Sequence, residues 1–129
     1  MLSNEKFTTK QVGEIAEAYA SQYLLNNGLC FIDKNFHNRQ GEIDLIMRDK
    51  NAYVFIEVKY RKNNNFGGAI AAIPYKKQQK IRQCATYYLQ QHGLNEYNTP
   101  CRFDVVAVEG SLSNNVQFNP KVTWLKNAF

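Results

Sequence analysis

The chain has 129 residues, 44% hydrophobic and 13% aromatic, which suits one domain with a single packed core. A mean hydropathy of −0.50 and the lack of any apolar run of transmembrane length argue against a membrane protein. The polar start MLSNEKFTTK lacks the apolar centre of a secretory signal, so a cytoplasmic location is expected.

A first helix is expected from about Thr9 to Asn26. Thr8 or Thr9 can cap its start. Val12, Ile15, Ala16, Tyr19 and Tyr23 recur at helical spacing, and Asn27-Gly28 suits a C-terminal cap. A short strand, LCFIDKNF, follows. Glu42 to Arg48 and Ala52 to Arg61 read as two strands on either side of the tight turn DKN, hence an antiparallel hairpin. The tract NNNFGG, Asn63 to Gly68, reads as a flexible loop placed where it could clamp a substrate.

The second helix is expected from about Pro74 to Gln91, with Pro74 in its first turn. Its apolar stripe is Ile81, Cys84, Ala85, Tyr88 and Leu89, and Gly93 follows its end. CRFDVVAVEG reads as a further strand and KVTWLKNAF as a short last one. The order α-β-β-β-α-β-β predicts an α/β fold, a mixed sheet of about five strands flanked by helices. No linker or repeat divides residues 1–129.

The net charge of +5 is unevenly spread. From Val58 to Asn95 there is no Asp or Glu, yet the segment holds Lys59, Arg61, Lys62, Lys76, Lys77, Lys80 and Arg82. The rest of the chain is slightly acidic. One segment therefore carries the whole positive excess, which suits either a solvated basic face or a polyanionic partner. Lys76 and Lys80 lie one turn apart on the second helix, beside Lys77. Cys30, Cys84 and Cys101 form no CxxC pair, so a zinc site is not expected. They read as reduced thiols buried as small hydrophobes. His37 and His92 read as surface residues.

The hairpin raises a physical question, because charges beside a core are costly unless they are paired or hold a metal. Side chains alternate along a strand. Glu42, Asp44 and Ile46 should then share one face, and Ile43, Leu45 and Met47 the other. On the next strand Phe55, Glu57 and Lys59 share a face opposite Val54, Ile56 and Val58. If the charged faces meet, Asp44, Glu57 and Lys59 converge at one end of the hairpin. Two readings stay open: ordinary cross-strand ion pairs, or carboxylates around a hard divalent cation such as Mg2+ or Mn2+. In the second, Lys59 could orient water or stabilise developing charge, and the basic segment could hold a phosphate backbone.

At GEIDLI followed by VFIEVKYR the sequence resembles the PD-(D/E)XK nuclease superfamily. It looks still more like one branch, the YraN-like family of uncharacterised bacterial proteins. The likeness runs through GEIAEAYA, FGGAIAAIPYKKQQKIRQCATYYL, RFDVV and TWLKNAF, nearly the whole chain. It implies a restriction-endonuclease-like core in which Asp44 and Glu57 bind a divalent metal and Lys59 positions or activates the attacking water. The backbone carbonyl of Val58 is a further candidate ligand.

Many relatives, Holliday-junction resolvases among them, add a glutamate from the first helix. Glu14 is the better match here and Glu17 the weaker. Ile43 stands where the superfamily name has proline. Glu42 could bind metal through water or pair with Arg61. Gln40 could contact substrate or simply make a turn, and Asp104 could be a structural carboxylate paired with a basic neighbour. The implied function is a metal-dependent endonuclease acting on DNA, including branched or repair intermediates, with a homodimer suited to a junction. A catalytically silent nucleic-acid-binding protein with the same fold is the alternative. A plain protein-interaction domain is the third reading.

Overall fold

A computed structural model describes residues 6–62, 73–112 and 117–129. The elements run α1 (Thr9–Asn26), β1 (Cys30–Asn38), β2 (Gly41–Asp49), β3 (Ala52–Arg61), α2 (Tyr75–Gln91), β4 (Cys101–Glu109) and β5 (Lys121–Leu125). The five strands form one mixed sheet in the spatial order β1-β2-β3-β4-β5. β1, β2 and β3 are antiparallel neighbours, β3 and β4 run parallel, and β5 returns antiparallel to β4. A parallel step needs a crossover, and α2 lies within it. The expected α/β layout is therefore present, element for element. The NNNFGG tract lies outside the described residues.

The helices cover opposite faces of the sheet. Ala16, Ala20 and Leu24 of α1 cluster with Leu45, Met47, Val54, Ile56, Val106 and Val108. Ile81, Cys84, Ala85, Tyr88 and Leu89 of α2 cluster with Ile43, Ile46, Phe55 and Phe103. Val54, Phe55 and Ile56 alternate between these clusters, as successive strand residues must. β3 and β4 are buried on both faces, which is why they read as nearly continuous apolar runs.

Local chemistry sets the helix ends. Thr8 is the N-cap of α1: its hydroxyl accepts from Gln11 N at 3.1 Å, and Gln11 Oε1 accepts from Thr8 N at 2.8 Å. Such a reciprocal cap contributes about 1 kcal/mol. Both helices close in the same way. After α1, Gly28 (φ 94) donates to Leu25 O and Leu29 N to Leu24 O. After α2, Gly93 (φ 70) donates to Gln90 O and Leu94 N to Leu89 O. Glycine takes the left-handed position in each, and the leucine after it packs into a core cluster. Pro74 is the N-cap of α2 rather than a member of its first turn.

Three further expectations need correction. The buried stripe of α1 is Ala16, Ala20 and Leu24; Tyr19 is exposed and packs edge-on against Phe118. Only Cys84 is buried: Cys30 is exposed and Cys101 half-buried, because β1 is an edge strand and Cys101 opens β4. Strict alternation also fails in β2, where Ile43 joins Ile46 on the α2 side instead of joining Leu45 and Met47. No described helix is long and apolar enough to cross a membrane, and His37 and His92 are exposed as expected.

Candidate active site

The break in alternation has a cause in the sheet. Pairing between β2 and β3 stops at Leu45↔Ile56. Beyond that point β2 keeps β1 as its partner, with Ile43 opposite Phe36 and Glu42 opposite His37. β3 continues beside β4 as far as Arg61↔Glu109. The two strands therefore part at Asp44 and Glu57, the residues that follow the last pair. Ile43 and its partner Phe36 reach the α2 side together, just past Asn35 of β1, whose backbone is left-handed (φ 53).

Asp44 bridges the gap. Its Oδ2 accepts a hydrogen bond from the backbone N–H of Val58 at 2.8 Å. That is thin support for a half-buried carboxylate. Burial first, and then the Glu57 carboxylate, push the Asp44 carboxyl from its ordinary 3.8 to about 7; the Val58 N–H opposes this, while Glu17 and Glu42 add to it. Glu57 is almost fully buried, and its Oε1 accepts from Lys77 Nζ at 2.7 Å. Burial, Arg61 and Lys77 lower the Lys59 ammonium below the ordinary lysine value, against an opposing pull from Glu57. Asp44, Glu57 and Lys59 thus form one electrostatic group.

Of the two first-helix glutamates, Glu17 is the one that bears on Asp44. Glu17 is close enough to raise Asp44. It is itself raised by burial, with the Asn35 side chain opposing and Glu42 adding. Glu14 is exposed one turn earlier. Both line a groove of about 410 Å3 with Phe31, Lys34 and Asn35.

Among the described residues, no three Asp, Glu, His or Cys side chains are gathered as a ready ligand set. The site still suits a hard cation. Asp44 and Glu57 are two carboxylates whose repulsion a cation would relieve, and Mg2+ or Mn2+ uses few protein carboxylates and keeps several waters. Glu17 and the Val58 carbonyl are further candidate oxygens.

Beside the site, Gly41, Glu42, Pro74, Lys76, Lys77 and Lys80 line a groove of about 390 Å3. Glu42 lies at its edge. It does not pair with Arg61, whose Nη1 donates to Tyr60 O at 2.7 Å instead. Lys62 is exposed just past the end of β3. Gln40 is an exposed turn residue whose N–H donates to Asn38 Oδ1 at 2.8 Å. Arg82 stands apart from this group. Its guanidinium lies over the Phe103 and Phe129 rings, 4.8 and 5.5 Å from their centroids, since two positions along a helix turn a side chain by roughly 200°. Asp104 is structural, held by Arg102, Trp124 and the Asn127 N–H.

The Lys77–Glu57 bond is the contact that strand patterns could not reveal. Its one trace in the sequence is a pair of lysines in the first turn of α2, where the helix dipole disfavours cations and no acid balances them.

Related proteins match along nearly their full lengths. A UPF0102 protein of Colwellia psychrerythraea (strain 34H) is 59% identical, with 100% of both chains covered. One from Legionella pneumophila (strain Corby) is 46% identical over 94% of this chain and 96% of its own. One from Pseudomonas syringae pv. syringae is 41% identical over 97% and 98%. Residues 16–108, from α1 to β4, match the family described as "Uncharacterised protein family UPF0102", and the chain belongs to that YraN-like family.

Proposed function

We propose that this protein is a divalent-metal-dependent endonuclease of the PD-(D/E)XK type that hydrolyses phosphodiester bonds in DNA. The observation that carries the reading is the parting of β2 and β3, where Asp44 is held by the Val58 N–H beside Glu57 and Lys59. Asp44 and Glu57 would hold Mg2+ or Mn2+, with Glu17 in reach. The bound ion would supply Lewis-acid polarisation of a phosphoryl oxygen and acidify water. Lys59, with its lowered proton affinity, would orient the attacking water and steady negative charge on the phosphate. Lys76 and Lys80 would hold the flanking backbone, joined by Arg61 and Lys62 from the end of β3. A homodimer presenting two such sites would suit a branched DNA, and a cytoplasmic location agrees with this chemistry.

The test is incubation of the pure protein with Mg2+ or Mn2+ and branched, single-stranded or duplex DNA. Cleavage is expected, with loss of roughly a thousandfold or more in Asp44→Ala and a comparable loss in Lys59→Ala, as follows from removing metal-ion and electrostatic assistance. A catalytically silent binding protein is favoured instead if no substrate is cut while salt-sensitive DNA affinity persists in both variants. The existing Lys77–Glu57 bond is the observation that keeps this second reading open.

A further inference from the structure

Glu57 has a close partner, and that partner is poorly suited to stay. Lys77 Nζ lies 2.7 Å from Glu57 Oε1, yet the Lys77 side chain is 47% exposed and that of Glu57 only 8%. The ammonium therefore sits on the solvent side of the carboxylate, where an incoming ion would arrive. Solvent competes for an exposed lysine, so the pair holds less firmly than one buried on both sides, and Lys77 occupies a helix turn in which a cation is disfavoured. A short swing would carry it into the groove that it already lines with Lys76 and Lys80.

We infer that Lys77 is an exchangeable counter-ion: a divalent cation competes with its ammonium for Glu57, and the released lysine joins Lys76 and Lys80 as a phosphate-binding group. This rests on the nuclease reading and adds a coupling to it. Ion uptake and polyanion binding become linked, and linkage of binding energies is reciprocal. Lys77 is then a positioning residue that guards Glu57 and afterwards helps to seat the nucleic-acid backbone.

Calorimetry with Mn2+ on the intact chain reads the first half. Lys77→Met removes the competing charge and keeps much of the aliphatic bulk. It is expected to bind Mn2+ roughly tenfold more tightly, because no ammonium has to be displaced from Glu57. Calcium, used as a non-cleaving probe, reads the second half. In wild type, Ca2+ should steepen the salt dependence of duplex-DNA affinity by about one unit, as one more phosphate contact would. In Lys77→Met that added slope should vanish.

Failure separates cleanly. Wild-type protein that takes up no divalent ion overturns the nuclease reading and this inference together. Wild-type uptake with an unchanged or weaker Mn2+ affinity in Lys77→Met, in a variant whose circular dichroism matches wild type, overturns the inference alone. Should Lys77→Met fold poorly, Lys77→Gln tests the same competition, and unchanged ion affinity there counts equally against it.

Discussion

Two carboxylates in the same sheet, on either side of β3, meet opposite fates. Asp104 in β4 is completely buried and fully answered: Arg102 Nε reaches both its oxygens at 3.1 Å, Trp124 Nε1 donates at 2.9 Å and Asn127 N at 3.0 Å. Asp44 in β2 is half-buried with the Val58 N–H as its donor, and the other groups that shift its carboxyl are acids. The fold meets the full hydrogen-bonding demand of one and leaves the other in need of positive charge. A buried carboxylate with all its partners ties elements together, here β4 to β5 and the chain end. A carboxylate left short is tolerated where a ligand supplies the missing charge.

Breaking Asp104 should give the larger effect. Asp104→Ala leaves the Arg102 Nε–H, the Trp124 N–H and the Asn127 N–H without their acceptor while Arg102 keeps only Asp49, a loss of roughly 3–5 kcal/mol. Urea denaturation should show a collapse of the midpoint, and a midpoint within error of wild type would sink the structural assignment.

Asp44→Asn should move stability in the opposite direction, a gain on the order of 2 kcal/mol at about pH 8. The amide can still accept from Val58, and the repulsion with Glu57 is gone. The pH profile sharpens the contrast. Folded Asp44 titrates at about 7 against an ordinary 3.8, so between those values the folded state holds more protons than the unfolded chain. The Asp44 contribution to stability is then greatest below about 4 and declines as pH rises through about 7. The difference in melting temperature between wild type and Asp44→Asn should grow over that window, and Mg2+ should shrink it by stabilising the wild type. A flat difference from about pH 4 to 8 would remove Asp44 from the list of strained acids.

Much of this contrast was legible before any coordinates. Capping residues and apolar periods place all seven elements, because Thr8, Gly28 and Gly93 act within a few residues of where they stand. The Glu57-to-Lys59 pattern needs only strand alternation. Reading failed where the answer depends on contacts distant in sequence. Ile43 changes sides where β2 has parted from β3 and the paired β1 turns left-handed at Asn35, which no apolar period records. Glu17 bears on Asp44 because burial of Ala16, Ala20 and Leu24 turns α1 further than its aromatic spacing suggests. Glu17 then flanks the core while Glu14 is left exposed. Lys77 finds Glu57 only because the crossover lays the start of α2 against β2, within a lysine's reach of β3.

The smallest effect divides the basic segment itself. Lys80 and Arg82 are near neighbours in the chain, and charge counting treats them alike. Lys80 lines the groove beside the proposed site, with its Cβ against Gly41. Arg82 is spread over two phenylalanine rings elsewhere. Lys80→Ala should lower the salt slope of DNA binding by about one and weaken affinity a few-fold at moderate salt. Arg82→Ala should leave the slope unchanged and instead cost about 1 kcal/mol of stability through lost ring contact. Equal slopes for the two variants would mean that the polyanion runs across α2 rather than along the groove at its first turns, and would place the interface on the helix's exposed flank.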